Sequence, residues 1–123
     1  MNSELQREAL LYTQLLIEEW YAGRTDRLLP LLDENVSWIG ATANQFYRGY
    51  AEVAAALERV KTEILPCRVS EGSWSIADRG ADYCLCIGHY IWTIQNEQLY
   101  TQEPQRASFL WKQTAAGLRI VHM

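Results

Sequence analysis

Asp82 to Gln95 reads DYCLCIGHYIWTIQ, a long run of residues that favour extended structure. One alternating face carries Tyr83, Leu85, Ile87, His89, Ile91 and Thr93. The other carries Cys84, Cys86, Gly88, Tyr90, Trp92 and Ile94. An antiparallel strand with one wet face alternates apolar with polar residues. Here both faces are apolar, so each is expected to meet something: helices on one side, and a second layer or a second copy on the other. That points to a curved sheet wrapped around a pocket and paired across an interface.

The neighbouring segments supply the rest of that sheet. A strand from about Cys67 to Ala77 precedes the ribbon, turning at Asp78-Arg79-Gly80-Ala81. Asn96 to Gln105 is polar, contains Pro104 and reads as a loop. Arg106 to Thr114 alternates again, with Ala107, Phe109 and Trp111 on one side. Ala115-Ala116-Gly117 is a hairpin turn leading into a last strand, Leu118 to Met123.

Towards the N-terminus the periodicity changes to helical. Ser3 followed by Gln6 reads as a capping box, and Leu5, Ala9, Tyr12, Leu16 and Trp20 form an apolar stripe that Gly23 ends. A short second helix is expected around Leu28 to Leu32, capped by Thr25 or Asp26 and disturbed by Pro30. Asp33-Glu34-Asn35 reads as a polar turn into a strand from Val36 to Gly40, and Ala41 to Tyr47 reads as irregular. A third helix follows from Gly49 to about Glu63, with Val53, Leu57, Val60 and Ile64 as its stripe and Pro66 as its stop. Helices and strands fall in separate runs, the pattern of an α+β domain.

Composition narrows the function classes. The chain has 123 residues, a net charge of −4 and no basic run, so the electrostatic footprint of a nucleic-acid binder is missing. No apolar stretch reaches membrane-spanning length and the N-terminus lacks a signal-peptide pattern, which predicts a soluble cytoplasmic protein. Cys67, Cys84 and Cys86 form no C-x-x-C pair and no metal-ligand cluster, so reduced thiols without a metal are expected. No phosphate-binding glycine loop is present, and no cofactor is expected.

Two segments carry a family resemblance. Asp33 to Leu57, DENVSWIGATANQFYRGYAEVAAAL, is similar to the first strand, glycine-bearing loop and following helix of the nuclear transport factor 2-like superfamily. Arg106 to Met123, RASFLWKQTAAGLRIVHM, resembles its closing hairpin. The likeness is strongest to the SnoaL-like branch and to the association domain of calcium/calmodulin-dependent kinase. It implies one domain over residues 1–123 with a cone-shaped, cystatin-like fold: three helices packed on a strongly curved antiparallel or mixed sheet. Related closing strands often carry H-x-H-x-S. Here the residues are His122-Met123, so only His122 carries over.

Such a fold places side chains from neighbouring strands around one cavity, and the superfamily hosts enzymes and assembly modules alike. The expected ligand-binding residues are Trp38, Leu85, Ile87, His89, Phe109, Trp111 and His122. His89 and His122 are the only histidines, the side chains that titrate nearest neutrality. The first reading is a binding or assembly module, a homodimer through the outer sheet face with a cavity for a small apolar or anionic ligand. The alternative is a cyclase-, isomerase- or dehydratase-type enzyme with His89 as base and Tyr12 or Tyr90 as hydrogen-bond donor. The long strand carries no acid between Tyr83 and Ile94, which weighs against that alternative. A third reading is a purely structural dimer whose cavity is filled by its own side chains. Arg68, Arg106 and Arg119 read more readily as strand-edge cations than as ligand clamps.

Overall fold

The computed structural model describes residues 1–63 and 65–123. Two α-helices and a six-stranded sheet form it: α1 (Ser3–Tyr21), β1 (Leu32–Ile39), β2 (Phe46–Arg48), α2 (Tyr50–Glu63), β3 (Arg68–Arg79), β4 (Tyr83–Gln95), β5 (Tyr100–Thr114) and β6 (Gly117–His122). The spatial order of the strands is β2-β1-β6-β5-β4-β3. All neighbours are antiparallel except β1 and β6, which run parallel, so the sheet is mixed.

The expected second helix does not form. Leu29–Leu31 makes one 3₁₀ turn around Pro30, and Leu32 already belongs to β1. Proline removes a backbone donor, and seven residues between Thr25 and Leu31 are too few to nucleate an α-helix against that loss. Among the described residues the domain therefore has two α-helices rather than three. The polar run Asp33-Glu34-Asn35 is also strand, at the point where the β1–β6 register shifts. Ile64, expected in the stripe of α2, lies outside the described residues.

α1 starts one residue earlier than the capping box suggests. Asn2 is the cap, its side chain accepting from Leu5 N at 2.8 Å. The helix ends in a Schellman turn: Arg24 N donates to Glu19 O and Gly23 N to Trp20 O, both at 2.9 Å, with Gly23 at φ +84°. That turn throws Trp20 and Tyr21 against the sheet. Cys67 N donates to Tyr21 O at 2.8 Å and ties the start of β3 to the same helix end. α2 follows Gly49, also at φ +84°, whose N–H is held by Val36 O at 2.7 Å.

The core lies between the helices and one face of the sheet. Cys84, Cys86 and Tyr90 of β4, Phe109 and Trp111 of β5, and Ile120 of β6 are buried there with Leu16, Ile17, Val53 and Leu57. Trp111 is wholly buried, and its Nε1 donates to Thr13 Oγ1 at 2.8 Å, which in turn donates to Ala9 O at 2.8 Å. The opposite face of β4 is partly bare: Ile87 is 39% exposed and His89 is exposed. Among the described residues no helix is long and apolar enough to cross a membrane.

Candidate functional site

Strand parity decides where each candidate goes. Cys84 pairs with Trp111, Cys86 with Phe109, Gly88 with Ala107 and Tyr90 with Gln105, and these face the helices. Leu85, Ile87 and His89 pair with Leu110, Ser108 and Arg106 and face away. The expected ligand-binding set is thus divided between two faces. Trp38 and Phe109 border the space under the helices. Trp111 is off that wall, packed against Tyr12 with ring centroids 6.1 Å apart.

His122 lies on β6, across from Leu110 on the outer face. Its Nδ1 is 2.7 Å from Ser37 Oγ. This contact joins the parallel strands β1 and β6.

Open space of about 1490 Å³ runs along both faces of the β4–β5 ribbon. Under the helices its wall is made by Leu16, Trp20, Tyr21, Trp38, Leu57 and Tyr90. Tyr90 Oη donates to Tyr21 Oη at 3.1 Å, linking β4 to the end of α1. Trp20 stands edge-on to Trp38, centroids 6.0 Å apart at 85°, and Trp38 stacks on Tyr47 at 5.2 Å. Trp20 Nε1 is buried without a hydrogen-bond partner among the described residues.

Burial raises both phenol pKa values, because the chamber disfavours a phenolate. For Tyr90, donation to Tyr21 adds to the rise; for Tyr21, accepting that bond partly offsets it. Both hydroxyls are therefore neutral donors at ordinary pH. No Asp or Glu borders the open space among the described residues, and no charged group lies on its inner wall.

Cys84 and Cys86 sit side by side with Sγ atoms 3.8 Å apart. Burial and the adjacent Cys84 thiol push Cys86 up to about 12, and both side chains are wholly buried parts of the core. Among the described residues no group of three or more His, Cys, Asp or Glu side chains is placed to hold a metal.

The three catalytic candidates do not converge. His89 is on the outer face, Tyr12 is against Trp111, and Tyr90 is bonded to Tyr21 inside. Sequence reading missed Tyr21, and took Trp20 only as part of a helix stripe. A helix-terminal aromatic pair immediately before Ala22-Gly23 is the signal that was present; the Tyr21–Tyr90 bond spans 69 residues and has no local signature.

No protein-family model matches the sequence, and no curated protein does. Solved structures do. A domain of unknown function with a cystatin-like fold from Nostoc punctiforme superposes with TM-score 0.77 at 13% identity, covering 99% of this chain and 76% of that one. The association domain of C. elegans calcium/calmodulin-dependent protein kinase II gives 0.69 at 12% identity, with 94% and 90% covered. A candidate ketosteroid isomerase from Shewanella frigidimarina gives 0.71 at 12% identity, with 89% and 87% covered. At such identities the likeness speaks for architecture alone. Two helices against a curved, mixed six-stranded sheet give this chain the cystatin-like fold of the nuclear transport factor 2-like proteins.

Proposed function

We propose that the chain is a small-molecule-binding assembly module. Its inner chamber takes an uncharged apolar or aromatic ligand, and its outer sheet face pairs with a second copy. One observation carries the choice over an enzyme: the inner wall of Trp20, Tyr21, Trp38, Leu57, Tyr90 and Phe109 offers neutral donors and aromatic surface but no acid or imidazole. A proton-transfer mechanism needs a base within hydrogen-bond reach of the substrate. His89, the residue proposed for that part, lies on the other side of the sheet.

The pairing is supported by the outer face itself. Ile39 is 56% exposed, Ile87 39% and Tyr83 43%, with Leu85, Leu110 and Ile91 half-buried between them. Exposed apolar side chains gathered on one sheet face support an interaction surface there.

Titration with naphthalene, followed by tryptophan fluorescence, tests the chamber. Saturable quenching is expected, weakened when Ala107→Phe fills the wall. Quenching that does not saturate overturns the chamber reading. Sedimentation at micromolar concentration tests the pairing: a species of twice 14.2 kDa is expected, and a monomer removes it.

A further inference from the structure

On the outer face, β3, β4 and β5 place three polar side chains in one row. Ser73 is the register partner of His89, and His89 is the register partner of Arg106. The next row is Ser75, Ile87 and Ser108. All six border the same open space, and all are exposed. Direct cross-strand neighbours stand about 4.5–5.5 Å apart at Cβ, so one small group can touch all three members of a row.

The charges of this row are unbalanced. The outward positions of β4 from Tyr83 to Thr93 carry no carboxylate, nor do their partners Gln102, Pro104, Arg106, Ser108, Leu110 and Lys112 on β5; on β3 the one carboxylate among their partners is Asp78, opposite Leu85 and outside both rows. This holds on a chain whose net charge is −4. Nearby cations are otherwise engaged: Lys112 lies 5.9 Å from the Tyr83 ring centroid, and Arg119 donates to Leu118 O at 2.8 Å. Among the described residues neither Arg106 nor His89 enters an ion pair. An arginine opposite an acid stabilises a strand pair, whereas an arginine opposite a histidine contributes no such attraction and repels when the ring is protonated. An oxyanion between them reverses that sign and can accept from guanidinium, imidazole and hydroxyl together.

We infer that Ser73, His89 and Arg106 form an outer-face site for an oxyanion, the carboxylate or phosphate group of a small molecule. The site borders the same open space as the uncharged inner wall but lies on the opposite face of the sheet. It shares its face with the pairing proposed above, and there it deepens that reading: an anion held between two such rows screens like charges and tightens the pairing.

The test titrates the protein with inorganic phosphate and with acetate at constant ionic strength, chloride being the control, and follows both imidazoles by NMR. Saturable shifts of His89 are expected, with His122, held by Ser37, as the internal reference. Arg106→Gln and His89→Gln each remove exposed side chains outside the core, and Arg106→Gln should weaken phosphate about 5-fold. Non-saturable shifts, shifts equal to those with chloride, or shifts unchanged in Arg106→Gln overturn the site. Saturation by phosphate but not acetate assigns the anion as phosphate. Sedimentation of the same samples reads the pairing independently. Dimers without saturable binding sink the anion site and leave the pairing; saturable binding by a monomer does the reverse.

Discussion

The indole of Trp74 occupies the space that a side chain on Gly88 would need: a Cβ there would stand 2.1 Å from Trp74 Cε3. The bare backbone of β4 lets the ring lie across the ribbon and stack on Tyr90, centroids 5.6 Å apart at 11°. Tyr90 then reaches Tyr21, so one missing side chain on β4 aligns contacts running from β3 to the end of α1.

Gly88→Ala should therefore cost about 1–3 kcal/mol, the range for overpacking a fitted site, read by urea denaturation. In a Trp74→Ala background the same change should cost little. Strict additivity of the two substitutions would show that the clash is not the cause.

Thr13 is buried beside Trp111 and both accepts from its Nε1 and donates to Ala9 O. Thr13→Val keeps the shape and strands the indole N–H. Stability should fall by about 1–3 kcal/mol, and Thr13→Ser should retain most of it because the hydroxyl remains. Equal losses in the two variants would assign the effect to packing instead.

The thiols should separate by access. Cys84 and Cys86 are fully buried, with Cys86 pushed up to about 12 by burial and its neighbour. Cys67 is half-buried, and burial raises it more modestly. Alkylation of the native protein at pH 8 should modify Cys67 slowly and the other two only after denaturant is added. Mass spectrometry showing early modification at Cys84 or Cys86 would contradict this placement.

Raised phenol pKa values in Tyr21 and Tyr90 set the alkaline limit. Between the unfolded value near 10 and the higher folded values, the native state holds more protons than the unfolded chain. Their contribution is complete below about pH 10 and declines as pH rises beyond it. Tyrosinate absorbance should show these two ionising after the exposed tyrosines, and Tyr90→Phe should flatten the fall in stability above pH 10. An unchanged slope in that variant would remove Tyr90 from the account.

Helix periodicity made α1 and α2 readable; β4 was legible as a long run of residues that favour extended structure, and β3 and β6 from the turns that bound them, because each of these signals is local. The stretch before Pro104 was not. A polar loop was expected from Asn96 to Gln105, yet β5 begins at Tyr100. β6 pairs with β5 only from Leu110 to Thr114, so Pro104 sits where β5 has one neighbour and its missing N–H breaks no ladder bond on the open side. The face reached by His89 was equally hidden, since both sides of β4 are apolar and only the partner strands fix its parity. Tyr21 and Tyr90 meet through a helix end and a strand whose relative placement no window of sequence contains.

The parallel seam between β1 and β6 has a bearing on how the chain acquires this shape. Ser37 and His122, 85 residues apart, face each other across it. β1 finds β2 nearby, but its other edge stays bare until β6 has been synthesised. Closure over such a span delays the rewarding contacts, and a refolding rate slower than that of a helical bundle of equal size follows from the topology alone.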